Sequence, residues 1–260
     1  MSGFNALADG RYGQMIVHRF DEWVGRSFLE YGEFSESEVA VFRQVVRPGD
    51  WVLDIGANIG AHSIAFARIV GEDGRVLAFE PQWQTYLALC GNVAINSLRN
   101  VFPMRTAVGA TGGSIFIPPL ELDETCNAGG VELGGEEGEA ISLICVDSLH
   151  LPRMDFMKID VEGMELDVLK GAHKTIAKFR PVLYVECDRQ EKSAPLIQFL
   201  ASADYRMYLH SAPLFNPHNF AEKRVNVWME EKGANFVSLD LLCFPAEAGA
   251  QIEGMEEVKP

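Results

Sequence analysis

An α/β fold built on a doubly wound, mostly parallel sheet is predicted by three features of this 260-residue chain. From residue 47 onward, strand-like and helix-like segments alternate. At 51–60 a strand ends in an acid and turns through glycines into a helix, and a second acid ends the next strand one βα unit later. Seven strands are expected, the last antiparallel. An N-terminal cap over 1–46 should precede a main domain over 47–246, which carries a hairpin insertion at about 109–146 and is followed by a flexible tail over 247–260. With 48% apolar side chains, the chain is long enough to bury one substantial core.

The elements follow in order. The turn Arg47-Pro48-Gly49-Asp50 introduces a first strand at 51–55, and a helix over about 60–70 ends at Gly71 and Gly74. A strand at 75–79 leads to a helix at 83–96, where Tyr86, Leu87, Leu89, Val93 and Ala94 make one apolar face. A third strand lies near 101–104. The rhythm then breaks, and 114–117 with 140–146 read as a hairpin flanking 121–139. That flank has seven acidic residues, no basic ones and five glycines, so it is expected to be a solvated loop or a lid over an acceptor. Alternation resumes with strand 156–159, helix 165–178, strand 182–186 and helix 192–203. Two last strands, 206–210 and 236–244, are joined by a polar connection with too little helix signal for a crossover, so they should pair antiparallel.

Composition narrows the function classes. The net charge of -15, from 37 acidic against 22 basic residues, would repel a nucleic-acid backbone. No apolar run approaches the roughly 20 residues that span a bilayer, and the first residues lack a basic-then-apolar signal pattern. No membrane association and a cytoplasmic location are therefore expected. Five scattered cysteines lack metal spacing and read mostly as buried thiols.

The strongest motif is Val52-Leu53-Asp54-Ile55-Gly56-Ala57-Asn58-Ile59-Gly60. Gly56 and Gly60 let the backbone turn tightly and approach a ligand, and the amides of the following helix start attract a carboxylate. Ser63 would add a hydroxyl, and Asp54 would attract an ammonium directly or through water. A carboxylate and an ammonium together describe an amino acid. Glu80, in Ala78-Phe79-Glu80-Pro81, lies 20 residues after Gly60, where an acid accepts both hydroxyls of a ribose. Pro81 should flank a base edge, which Thr106 and Ala107 should border. These groups fit S-adenosylmethionine better than a nicotinamide dinucleotide. The dinucleotide's glycine pattern needs glycine where Asn58 and Ala61 stand, and its pyrophosphate would sit badly beside Asp54.

The acceptor side is expected at Lys158-Ile159-Asp160-Val161-Glu162-Gly163-Met164-Glu165, since strand ends on this side of an open sheet face the ligand crevice. Asp160 is the candidate general base, because desolvation near a reacting hydroxyl would raise a carboxylate toward that range. Glu162 follows at the next helix start. Glu186, ending the neighbouring strand, should lie beside Asp160, and with Asp188 the two acids are compatible with Mg²⁺ although their spacing does not demand it. His218 is the alternative base, and Asn216 and Asn219 in the same late loop are capable partners for sugar hydroxyls.

With these residues in place, the chain resembles the FkbM-type methyltransferases over about residues 34–245. The likeness is carried by Arg47 to Gly60, Phe79-Glu80-Pro81, Asn92-Val93-Ala94-Ile95-Asn96, Asp147-Ser148-Leu149, and Phe156 to Glu165 with Val168-Leu169-Lys170-Gly171-Ala172. The loop Phe215-Asn216-Pro217-His218-Asn219-Phe220 is also similar, although members often have an acid where His218 stands. The resemblance implies a class I methyltransferase fold and O-methylation of a sugar-like small molecule. It implies donor contacts from Asp54, Gly56, Asn58, Gly60, Ser63 and Glu80, with Asp160, Glu162 and Glu186 on the acceptor side. The leader is expected to pack over the crevice mouth and offer Tyr12, Tyr31 and Glu33 to the acceptor. Two rivals are a binding or scaffold protein that keeps the donor pocket without turnover, and a nicotinamide-dependent oxidoreductase.

Overall fold

The computed structural model, which describes residues 3–130, 134–135 and 137–260, opens on an antiparallel hairpin where only a capping leader was expected. Its strands are β1 (Asn5–Gly10) and β2 (Gly13–His18). Helices α1 (Val24–Tyr31) and α2 (Glu36–Val45) follow, each with an apolar face turned inward through Phe28 and Tyr31 or Val39 and Phe42.

The alternation then runs close to expectation through β3 (Trp51–Ile55), α3 (Ala61–Val70), β4 (Arg75–Phe79), α4 (Trp83–Ile95) and β5 (Val101–Met104). Asn92 on α4 fastens the N-terminal hairpin to this unit. Its Oδ1 accepts from the Ile16 amide at 2.6 Å, and its Nδ2 donates to the Ile16 and Ile59 carbonyls.

A small side sheet comes next, made of β6 (Ala107–Val108), β7 (Gly113–Ile117) and β8 (Glu139–Ile144), with β7 and β8 forming the anticipated hairpin. Of the acidic flank, residues 131–133 and 136 lie outside the described residues. Its first part is docked, because Leu122 and Ala128 are buried and Cys126 bridges to Asp21.

After β9 (Phe156–Ile159), the expected single helix is two: α5 (Glu165–Gly171) and α6 (His173–Phe179). The division has a partner outside the helix. Asp147 accepts from the amides of Lys174 and Thr175 at 3.1 and 2.8 Å, which caps the second piece from outside. The chain continues through β10 (Val182–Glu186), α7 (Gln190–Ser202), β11 (Tyr205–Pro213), α8 (Val227–Lys232), β12 (Val237–Pro245) and β13 (Glu256–Val258).

The main sheet has the order β13-β11-β12-β10-β9-β3-β4-β5, eight strands rather than seven. β5, β4, β3, β9 and β10 are parallel, and β12 runs antiparallel to both of its neighbours. The eighth strand corrects the expectation of a flexible tail after 247. β13 pairs with β11, where Met207 faces Val258 and Leu209 faces Glu256. An open strand edge offers unpaired amides that a nearby extended segment can satisfy.

Strand alternation sorts the core into two layers. Val52, Phe156 and Tyr184 pack with Phe42 and Phe66 on one face; Leu53, Ile55, Met157, Ile159 and Val185 pack with Val168, Leu169 and Leu196 on the other. The same alternation puts Asp54 and Lys158, cross-strand partners on β3 and β9, on the first face. Strand order reverses between these two strands, and it is there that an open α/β sheet forms its ligand crevice. Among the described residues, no helix is long and apolar enough to cross a membrane.

Candidate functional site

A cavity of about 340 Å³ opens at the carboxyl ends of β3, β4, β9 and β10, within the usual size range of small-molecule sites. Gly56, Ala57 and Asn58 form one wall. Gly56 has φ of +85°, and a Cβ there would lie 1.7 Å from the Asp160 carbonyl oxygen, so the turn after β3 packs directly on the chain leaving β9. Asn58 is also left-handed, with φ of 51°, a conformation asparagine tolerates better than most residues. Ala61 and His62, at the start of α3, line the cavity, and the amides of a helix's first turn have no acceptor within their own helix.

Glu80 closes the adjoining wall. Its two carboxylate oxygens accept from the amides of Asn58 at 2.9 Å and Gln82 at 2.8 Å, which fixes its plane and leaves each oxygen a further lone pair. Burial raises it to about 7, although both backbone bonds pull the other way. Pro81 and Gln82 line the cavity beside it.

The third wall is acidic. Asp160, Glu162 and Glu186 offer oxygens within 4.8 Å of one another. Asp160 accepts from Lys158 Nζ at 2.6 Å and Glu162 from Arg189 at 2.7 Å. Burial and then the charges of Asp160 and Glu162 push Glu186 far above the ordinary carboxylate range, and one of its oxygens is buried without a hydrogen-bond partner. Glu162 is raised to about 7 by burial and Asp160, against the pull of Arg189, and its φ of 55° marks a tight turn. Three carboxylates this close can hold a cation, but two of them already have one as an ion-pair partner.

Five cofactor assignments place differently from expectation. Asp54 is fully buried behind the wall, where it accepts from Ser63 Oγ at 2.5 Å. The reason is position: β3 is central and Asp54 lies within it, beside Lys158 on β9, while the turn that follows Ile55 supplies the cavity wall. Ser63 is thereby spent on Asp54. Gly60 lies off the cavity at the head of α3, and a Cβ there would come 2.6 Å from Leu89, so this glycine serves helix packing. Thr106 donates to the Ser142 carbonyl at 2.8 Å and Ala107 pairs with Leu143, so both tie the side sheet to the main one. Neither borders the cavity.

The late loop is corrected more sharply. His218 is exposed and outside the cavity, with its carbonyl accepting from Arg11 at 2.9 Å. Buried Glu33 accepts from Arg11, from Asn216 Nδ2 at 2.7 Å and from the Phe220 amide at 2.9 Å. Asn219 donates to the Asn216 and Lys223 carbonyls and accepts from the Lys223 amide. Each of these groups finds its partner inside the protein, so Glu33, Asn216 and Asn219 lock the loop onto the N-terminal cap and His218 rides outside it. Tyr12 binds Glu36, and the Tyr31 hydroxyl accepts from the Val227 amide, so both hydroxyls are engaged within the protein and neither residue lines the cavity.

Among the lining residues that carried no assigned site role are Glu38, Lys158 and Trp23. Lys158 is 2% exposed. Burial alone would lower it, but Asp160, Asp54 and Glu38 more than offset this and hold the ammonium charged. A lysine inside the apolar strand Phe156-Met157-Lys158-Ile159, two residues before an acid, was the available signal, because positions two apart share a face. Glu38 lies 3.7 Å from His62 Nε2, and burial with the charge of Lys158 keeps that histidine neutral. Nothing local in the sequence pointed Glu38 or Trp23 at a crevice some distance along the chain.

A family model described as the methyltransferase FkbM domain matches residues 54–207. The hexuronic acid methyltransferase AglP of Haloferax volcanii is 34% identical over 127 residues, which is 47% of this chain and 49% of that protein. The chain thus matches about half the length of this curated relative. Among solved structures, methyltransferase FkbM from Methylobacillus flagellatus KT shares 19% identity at a TM-score of 0.47, covering 79% of this chain and 50% of that one. Precorrin-6y C5,15-methyltransferase from Geobacter metallireducens GS-15 shares 13% identity at a TM-score of 0.50, covering 80% and 87%, a likeness of fold. The family match begins near the end of β3, just before the glycine turn, and ends in β11, taking in more than half of the sequence and three walls of the cavity. The chain belongs to the FkbM methyltransferase family.

Proposed function

We propose that this protein is an S-adenosylmethionine-dependent O-methyltransferase that acts on a hydroxyl of a small, sugar-like acceptor. The observation that carries the reading is the convergence, on one cavity, of the turn at Gly56–Asn58, the fixed carboxylate of Glu80 and the acid pair Asp160 and Glu186. The donor's chemistry fits the walls: helix-start amides suit a carboxylate, an acid with free lone pairs suits a ribose diol, and an acidic cavity suits a sulfonium. When bound, the donor supplies a methyl group activated by positive sulfur.

The chain's own residues then have defined tasks. The turn and Glu80 bind and orient the nucleoside, since alignment alone supplies roughly 7 to 11 kcal/mol of barrier lowering in model reactions. Asp160 accepts the acceptor's hydroxyl proton, while Lys158 holds that carboxylate in place from the adjoining strand position. Glu186, kept protonated by burial and by the neighbouring acids, donates a hydrogen bond to an acceptor oxygen. The sugar-like class is supported by the resemblance to a family that methylates such hydroxyls and by the hexuronic acid methyltransferase relative.

Two other classes fare worse. A dinucleotide's pyrophosphate would meet six acidic side chains and an amide at Asn58 that is already bonded to Glu80. A donor-binding scaffold has no evident use for a lysine-paired carboxylate at the strand end. Titration with S-adenosylhomocysteine and with a nicotinamide dinucleotide, followed by transfer of labelled methyl to a panel of glycosides, separates the three. Tight donor-product binding without transfer to any acceptor would favour the scaffold.

A further inference from the structure

The charge of the cavity narrows the acceptor beyond a sugar-like molecule. Glu80, Asp160, Glu162 and Asp188 line it, with Glu38 and Glu186 held in their neutral form by burial and neighbouring acids, against Lys158 as the cation among the lining residues described. Lys158 is engaged with Asp160 at 2.6 Å. Just outside the cavity, Arg189 meets Glu162 at 2.7 Å and reaches Asp188 at 4.0 Å. His62 brings no compensating charge, since it is held neutral. A carboxylate on the acceptor side, beside Asp160, Glu162 and Asp188 and away from the helix-start amides that suit the donor, would have to draw Lys158 or Arg189 away from an acid that would then be left unpaired, and like charges at such distances repel strongly where water is excluded.

Another part of the lining has a different character. Trp23 and Phe236 meet edge to face with ring centroids 4.8 Å apart, and Val24 and Leu214 border the same side. Such a surface suits the C–H face of a sugar ring and makes no demand on its charge. Steric fit and stacking therefore admit hexoses, aminohexoses and uronic acids alike, and the discrimination falls to electrostatics.

We infer that the cavity selects its acceptor by charge, taking a neutral or amine-bearing polyol and turning away carboxylates, so that a uronic acid is not this protein's substrate. This rests on the methyltransferase reading above and deepens it by naming the substrate class. It also separates this chain from its hexuronic acid methyltransferase relative, whose matched segment is about half of each protein. Specificity of this kind arises as much from what a site repels as from what it attracts.

The test uses the full chain and sets of methyl glycosides matched in ring configuration: the hexose, the 2-amino-2-deoxyhexose and the hexuronic acid. S-Adenosylhomocysteine binding is first measured by calorimetry. Binding of each glycoside to the loaded protein and methyl transfer from S-adenosylmethionine then follow, at low and high salt. The expected result is a preference of at least about tenfold for hexose and aminohexose over uronic acid, shrinking with salt and in Asp188→Asn. Equal or better use of the uronic acids with donor binding intact would overturn the charge selection alone, as would rejection of all three sets while the donor product still binds. Failure to bind S-adenosylhomocysteine would remove the methyltransferase reading and the inference with it.

Discussion

Two regions of this molecule carry similar chemistry in the sequence and opposite roles in the structure. The strand-end wall brings together Asn58, Glu80, Asp160 and Glu186, while the late loop and cap bring together Glu33, Asn216, His218 and Asn219. In the second group, nearly every polar atom of the buried members is matched to an amide, a carbonyl or Arg11 of the same chain. In the first, Glu80 keeps free lone pairs on a cavity wall and Glu186 has a buried oxygen with no partner. Residue type does not separate function from architecture here. The direction in which hydrogen-bonding capacity is spent does.

The comparison breaks first at Asp160. Asp160→Asn should lower turnover at least about 100-fold, the low end of general-base effects, with donor affinity retained in calorimetry. Near-normal turnover would move the base elsewhere on the acidic wall. Next, Glu80→Gln should weaken S-adenosylhomocysteine binding roughly tenfold or more, in line with a hydrogen bond to a charged group. Its pH profile sharpens the point. Burial raises Glu80 from 4.5 to about 7, so the native protein holds this proton more tightly than the unfolded chain does. That contribution to stability is complete below about 4.5 and is lost as pH rises to about 7. Ribose hydroxyls donate to the ionised form, so donor-product affinity should climb toward pH 7 and then level off, and the Gln variant should show no such slope.

On the loop side the effects should appear in stability. Glu33→Ala leaves the Phe220 amide and Asn216 without their acceptor and should cost about 2 kcal/mol in denaturant unfolding, while the retained fold binds donor product normally. An unchanged midpoint would mean the lock is ornamental. The smallest effect belongs to His218→Ala, which should change turnover by less than about twofold, as expected of an exposed residue outside the cavity. A large loss there would return the loop to the active site.

Much of the fold was legible because the βα units announce themselves through local signals. The strand 51–55, its glycine turn and the acid at Glu80 follow from residues a few positions apart. What stayed hidden depends on partners far along the chain. The division of 165–178 into two helices is made by Asp147, some 27 residues away, and β13 exists only because β11 has an open edge. α8 had its signal within reach, since Asn226 caps it by accepting from Trp228 and Met229 and Gly233 ends it, but six residues are too few for apolar periodicity to register. In the site, Gly56, Asn58, Glu80, Pro81, Asp160, Glu162 and Glu186 were named from the sequence and border the cavity. Asp54 and Ser63 were in the same motif but turn inward, a distinction that depends on which neighbour strand 51–55 receives at each position. Lys158 was visible in the sequence as a charge in an apolar strand, and its meaning came only with the register that pairs it to Asp54.

The last strand has a practical side. β13 covers Met207 to Leu209 of β11, Arg206 pairs with Glu257, and Tyr208 and Arg206 both donate to the Ala250 carbonyl, so the final dozen residues act as a selvedge on the sheet. A version of the protein cut at Gly249 would bare a row of amides along β11, and its first symptom should be self-association in concentrated solution rather than slower chemistry.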